Sequence, residues 1–130
     1  MKKMMKRKSL AKGLGVLTAA VLLLAFTGQA GAFCVHNKSD RTVLVKQTSG
    51  GKWLKSFKAI LSSGESRCCN WQNKDCNKDG EAGAAIGFNV SRGDPALAFC
   101  KHAEIRADGD LSICGNRGNF SCKPNSIDCN

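Results

Sequence analysis

Eight cysteines restrict the folds that are open to this chain. They are Cys34, Cys68, Cys69, Cys76, Cys100, Cys114, Cys122 and Cys129. An even number of cysteines at this density is typical of a small secreted domain that is held together by disulfides. Each bridge typically stabilises such a domain by roughly 2 to 4 kcal/mol. The sequence leaves all 105 pairings open, although the adjacent Cys68 and Cys69 are expected to take different partners, because neighbouring side chains of a strand point to opposite faces.

The N-terminal residues have the organisation of a secretory signal peptide. A basic segment precedes an apolar run from Leu14 to Phe26, and Ala30-Gly31-Ala32 matches a small-residue cleavage site. The apolar run has thirteen residues, whereas a membrane-spanning helix needs about twenty. We therefore predict a signal peptide over residues 1–32 and a mature domain over residues 33–130, exported by a bacterial cell to the periplasm or the medium.

Removal of this leader changes the charge of the protein substantially. Six of the twenty Lys and Arg residues and none of the ten acidic residues lie in the leader, so the formal net charge falls from +10 to +4. A nucleic-acid-binding domain needs a higher and more clustered positive charge. We therefore expect no nucleic-acid partner.

The mature region alternates short segments of strand character with clusters of turn residues. Predicted strands cover Thr42–Gln47, Ala84–Val90, Ala96–Lys101, Ala103–Ala107 and Leu111–Cys114. Glycine, asparagine, aspartate and serine separate these segments. This spacing predicts an all-β domain, either an antiparallel β-sandwich or a small barrel.

The segment Lys52–Leu61 is compatible with two structures. A helical period would place Trp53, Leu54 and Phe57 on one face and the lysines on the other. A strand over Ser56–Leu61 is the alternative, and we favour it because the neighbouring segments are strands. In either case the apolar side chains are expected to join the core, although a cationic amphipathic segment can also lie on an anionic membrane.

The loop from Ser66 to Glu81 resembles the first half of a calcium-binding loop. Asp75, Asn77 and Asp79 alternate before a glycine, as in D-x-[DN]-x-[DN]-G. The twelfth position, where a bidentate glutamate is required, is Ile86. A polar loop tethered by disulfides uses the same residue types, so a spacer is the favoured interpretation and calcium the alternative. The candidate binding residues are Trp71, Asp75, Asn77, Asp79 and Glu81, with Asp75, Asn77 and Asp79 as the candidate calcium ligands; no other cofactor is predicted.

Enzymatic activity is not indicated by any motif. Paired cysteines at zinc-ligand spacing and C-x-x-C are absent, as are G-x-S-x-G and H-E-x-x-H. The only histidines are His36 and His102, and either one is a candidate base for a small hydrolase. We expect both to be structural.

Together these features favour a small non-catalytic binding module with Trp71 as a contact residue for a protein or glycan surface. The alternative is a cationic, membrane-active or toxin-like secreted protein that uses Lys52–Leu61.

Overall fold

Residues 31–130 are described by a computed structural model, in which they form eight strands and one short 3-10 turn. The strands are β1 (Ala32–Asn37), β2 (Val43–Ser49), β3 (Lys58–Leu61), β4 (Ser66–Asn70), β5 (Ala85–Ser91), β6 (Cys100–Arg106), β7 (Asp110–Asn116) and β8 (Asn119–Pro124). Across this part of the chain, no helix has the length and apolar character required to cross a membrane. The predicted signal peptide lies outside the described residues, except for Gly31 and Ala32.

The strands form two four-stranded sheets. The first sheet has the order β4-β1-β7-β8 and the second has the order β3-β2-β5-β6. Strands β1 and β7 are parallel, and all other neighbours are antiparallel. The prediction of an all-β, sandwich-like domain is therefore confirmed.

The hydrophobic core consists of alternate side chains from both sheets. In β1, Phe33 and Val35 are fully buried, while Cys34 and His36 on the opposite face are only partly covered. Phe33 makes edge-to-face contacts with Phe57 and Phe88, with ring centroids 5.3 and 5.2 Å apart. Such aromatic pairs add to the stabilisation from buried area, so they help to join β1 of the first sheet to β5 of the second.

All eight cysteines form disulfides. The pairs are Cys34–Cys68, Cys69–Cys76, Cys100–Cys122 and Cys114–Cys129. Cys68 and Cys69 have different partners, which confirms the prediction from strand geometry. The Cys100–Cys122 bridge joins β6 of the second sheet to β8 of the first. Four disulfides indicate folding in an oxidising, extracellular or periplasmic environment.

The structure corrects the bounds of two predicted strands. The predicted strand Ala96–Lys101 begins instead at Cys100, because Pro95 starts a 3-10 turn and the Asp94 carboxylate accepts a hydrogen bond from the backbone N–H of Ala96. In Lys52–Leu61, the favoured strand is confirmed over Lys58–Leu61, and residues 52–57 are not part of it. Strands β1, β4 and β8 were not predicted, because β1 begins at the end of the predicted leader and β4 is largely polar.

Candidate functional site

The loop from Trp71 to Glu81, which follows β4 and which we call the disulfide loop, is held in place by one disulfide and one buried amide. Cys69 and Cys76 bond across the loop. The Nδ2 atom of Asn77 donates to the carbonyl oxygens of Trp71 and Glu81, at 2.8 and 2.9 Å. Asn77 is fully buried. Its side chain therefore ties the two ends of the loop together.

The other predicted binding residues lie apart from this amide. Trp71 is half-buried and packs against the hydrophobic core. Asp75 is partly exposed, and its carboxylate lies 3.7 Å from the Lys52 ammonium. Asp79 and Glu81 are exposed.

The structure does not bring the loop carboxylates together as a metal cluster. Among residues 31–130, the only group of three or more His, Cys, Asp or Glu side chains with converging ligand atoms is Cys34, His36 and Asp110. Asn77 Oδ1 is buried without a hydrogen-bond partner, so one oxygen in the loop is unpaired. Calcium binding by Asp75, Asn77 and Asp79 stays the alternative to the spacer interpretation of this loop.

A second feature, next to this loop, is the turn Lys52–Lys55. Its base is fixed by backbone hydrogen bonds to the disulfide loop, from Lys52 N to Asp75 O at 2.9 Å and from Lys78 N to Gly50 O at 2.8 Å. The turn itself is closed by a bond from Lys55 N to Lys52 O at 3.1 Å. The Lys52–Lys55 turn therefore has a defined backbone.

Gln47 on β2 also holds the base of the Lys52–Lys55 turn in place. This buried side chain accepts a hydrogen bond from the backbone N–H of Phe57 and donates to the carbonyl oxygens of Ser49 and Cys76. The Gln47 side chain therefore links the disulfide loop, at Cys76, to the residues on either side of the turn, Ser49 and Phe57. A buried amide with three partners favours a single arrangement of the backbone.

The apolar side chains of the turn face solvent. Trp53 is 93% exposed and Leu54 is 89% exposed, so the expectation that they join the core was wrong. Of this segment, Ala59 and Leu61 lie in the core and Phe57 packs against it. The reason is that the chain turns at Lys52–Lys55 before β3 begins, which places the first two apolar residues beyond the edge of the sheet.

Lysines surround this exposed apolar tip. Lys52 and Lys55 belong to the turn, and Lys46 and Lys58 are direct cross-strand partners on β2 and β3. Within residues 31–130, Lys46, Lys55 and Lys58 take part in no ion pair. Like charges placed directly opposite each other on a sheet are destabilising, so this arrangement favours an anionic partner.

A shallow groove of about 530 Å³ runs between β2 and the turn. Its lining includes Lys46, Lys52, Trp53 and Leu54. Cationic and apolar groups therefore face one open space.

A hydrogen-bonded relay of three polar side chains lies on the outer face of the first sheet. The Nδ1 atom of His36 is 2.8 Å from the hydroxyl of Ser66, and its Nε2 atom is 2.8 Å from the carboxylate of Asp110. Sequence reasoning considered His36 alone and missed its partners, because strand register brings together residues 30 and 74 positions away. The other histidine, His102, is exposed.

The relay does not form a metal site in the oxidised protein. Cys34 is the third member of the converging group, but its sulfur is bonded to Cys68. A thiolate is the metal-binding form of cysteine, so the disulfide leaves His36 and Asp110 as the only ligands of that group.

Comparison with known proteins does not identify the chain. No family model matches it, and no curated protein or solved structure is significantly similar to it. The function must therefore be inferred from the sites themselves.

Proposed function

We propose that this protein is a small, non-catalytic binding module of the periplasm or the extracellular medium, and that the Lys52–Lys55 turn is its contact surface. The observation that carries the proposal is the exposure of Trp53 and Leu54 on a turn whose base is hydrogen-bonded in place. Tryptophan is enriched among residues that dominate binding energy. A fixed backbone lowers the entropic cost of ordering the contact residues on binding.

The position of Trp71 supports this choice of surface. Of the two tryptophans of the protein, Trp71 packs against the core and Trp53 points to solvent. A partner reaches Trp53 without any rearrangement of the domain. We therefore propose Trp53, rather than Trp71, as the aromatic contact for a protein or glycan surface.

Site-specific photo-crosslinking in the producing cell tests this proposal. A benzophenone amino acid at position 53 is expected to give a discrete adduct with one partner. The same residue in place of Leu97, an exposed leucine on the 3-10 turn, is the matched control. Adducts at position 97 and none at position 53 would show that the contact surface lies elsewhere.

The lysines favour a second candidate function, attachment to an anionic membrane. An apolar tip flanked by basic side chains binds anionic lipid by inserting the apolar residues at the headgroup level. Each lysine near such a surface contributes about 1 kcal/mol. Lys46, Lys55 and Lys58, which take part in no ion pair among residues 31–130, are available for this role.

Vesicle binding separates the two candidates. A Trp71→Phe variant leaves Trp53 as the only fluorophore of its kind, and its emission is expected to shift to the blue on vesicles of phosphatidylcholine and phosphatidylglycerol but not on phosphatidylcholine alone. A Trp53→Ser, Leu54→Ser double variant should lose sedimentation with these vesicles. Suppose that the wild type binds neither vesicle type and that the variant with benzophenone at position 53 gives an adduct. The membrane candidate is then excluded, and the binding module is supported.

A further inference from the structure

We propose that Ser66 is an activated nucleophile that accepts an acyl group from activated carboxylic esters, with His36 as its general base and Asp110 as the residue that positions His36. This inference goes beyond the binding function and uses the first sheet, whereas the Lys52–Lys55 turn leads into the second. The two proposals can therefore fail independently.

The three residues are brought together by strand register. His36 on β1 and Ser66 on β4 are direct antiparallel partners. Asp110 on β7 pairs with Cys34, which lies two residues before His36 and so on the same face of β1. Diagonal neighbours of this kind are within reach of long side chains. Three adjacent strands therefore fix the positions of a hydroxyl, an imidazole and a carboxylate.

The chemistry of the partners assigns the tautomer of His36. An ionised carboxylate only accepts hydrogen bonds, so Nε2 must carry the hydrogen that points to Asp110. In the neutral ring Nδ1 is then unprotonated and accepts from the Ser66 hydroxyl. This is the arrangement that a general base needs, with the two ring nitrogens exchanged relative to the usual serine triad.

The three side chains of the relay differ in their exposure to solvent. The side chains of His36 and Asp110 are 20% and 33% exposed, whereas Ser66 is exposed on the edge strand β4. The C-terminal segment covers the adjoining part of β7, where Ser112 donates to the carbonyl oxygen of Ser126 at 2.7 Å and is fully buried. An activated ester thus meets the hydroxyl first, while the imidazole and carboxylate are partly shielded from water.

The proposed step is a single acyl transfer. The Ser66 oxygen attacks the carbonyl carbon while its proton passes to His36 Nδ1. The bond between the acyl carbon and the leaving oxygen breaks, and the leaving group takes the proton from Nδ1. The products are an ester on Ser66 and a free alcohol or phenol. Because the relay lies on an open sheet face, we assign it to one acylation rather than to repeated turnover.

The test uses p-nitrophenyl acetate with the oxidised secreted protein. Release of p-nitrophenol is followed by absorbance, and the modified residue is mapped by mass spectrometry. A positioned base contributes about a hundredfold or more to such a step, so acetylation of Ser66 should exceed that of the exposed Ser121 by about that factor. A wild type in which Ser66 is acetylated no faster than Ser121 would overturn the proposal without any variant.

Variants assign the roles. Ser66→Ala should abolish the fast acetylation and Ser121→Ala should retain it. His36→Ala should also abolish it, and added imidazole should restore part of the rate. His102→Gln is the matched control histidine and should leave the rate unchanged. Failure of imidazole to restore the rate in a folded His36→Ala variant would contradict the role of His36 as a base.

The role of Asp110 is tested separately, because Asp110 acts through His36. Asp110→Asn should slow acetylation of Ser66, and Asp110→Glu should recover part of the lost rate by again accepting the Nε2 hydrogen. Equal rates in the wild type and in Asp110→Asn would remove Asp110 from the proposal. Circular dichroism and thermal melting of each variant show whether a lost rate reflects lost folding.

Discussion

Trp71 and Trp53 lie in neighbouring loops and have opposite environments. Trp71 follows a strand and sits in a loop closed by the Cys69–Cys76 disulfide and by Asn77, and its ring packs against the core. Trp53 lies on the Lys52–Lys55 turn, and almost its whole side chain is exposed. The disulfide loop therefore supports the fold, whereas the Lys52–Lys55 turn is presented to solvent. The predictions below test this division.

Replacement of Gln47 should affect both regions. Gln47→Leu removes the three hydrogen bonds that join Phe57, Ser49 and Cys76 and leaves buried backbone groups unpaired, at a cost of about 3 kcal/mol. Chemical denaturation measures the loss, and amide exchange should increase in both the disulfide loop and the turn. Gln72→Leu, at an exposed position, is the control. Increased exchange in one region only would show that Gln47 does not link the two.

Truncation of the two tryptophans should give different stabilities. Trp71→Ala removes a half-buried ring from the core and should cost about 2 to 3 kcal/mol, below the range for a fully buried aromatic residue. Trp53→Ala removes an exposed ring and should change the free energy of unfolding by less than about 0.5 kcal/mol. Urea denaturation of the two variants is the measurement. Equal losses would contradict the division between the loop and the turn.

Within the disulfide loop, loss of the buried Asn77 amide should lower the free energy of unfolding more than loss of the exposed Asp79 carboxylate. Asn77→Ala leaves the carbonyl oxygens of Trp71 and Glu81 without their donor and should cost about 2 kcal/mol. Asp79→Ala should fall within about 0.5 kcal/mol of the wild type. Thermal melting separates them. A larger loss for Asp79→Ala would indicate that its carboxylate has a role that the hydrogen bonds of the loop do not show.

A small dependence on pH is expected from Glu65, outside both regions. The backbone N–H of Ser62 donates to its carboxylate and lowers the pKa of Glu65, and the Arg67 guanidinium lowers it further. A lowered pKa in the folded state stabilises the fold above the pKa of an unfolded glutamate, about 4.3. This contribution is lost as the pH falls through the lower, folded pKa. Melting temperatures of wild type and Glu65→Gln should therefore converge in acid, and a constant difference would contradict this origin.

Calcium should have the smallest effect on the domain. The carboxylates of Asp75, Asp79 and Glu81 do not converge, so we expect about 5 mM calcium, a concentration above the roughly 0.1 to 1 mM dissociation constants of extracellular modules, to leave the melting temperature unchanged. Calorimetric titration is the more direct check. Saturable binding that is lost in Asp79→Ala would contradict this expectation and make the loop a calcium-organised surface.

Several features were predictable because they depend on local chemistry. Short runs of apolar and β-branched residues identified most of β2, β5 and β7, and turn residues separated them. Strand geometry alone predicted different partners for Cys68 and Cys69. The candidate sites were less predictable. Ser66 and Asp110 carry no local sign of a relation to His36, because only strand register makes them neighbours.

The all-β class and the high cysteine content follow from the sequence alone, since side-chain periodicity, turn residues and cysteine content are properties of short segments. Only the folded structure shows which of the 105 disulfide pairings forms, which tryptophan is exposed and which histidine has hydrogen-bond partners in its side-chain environment. These outcomes depend on contacts between distant segments, such as the bond between Cys100 and Cys122 that joins the two sheets. Their physical basis is the packing of two sheets around one core, which no short segment specifies.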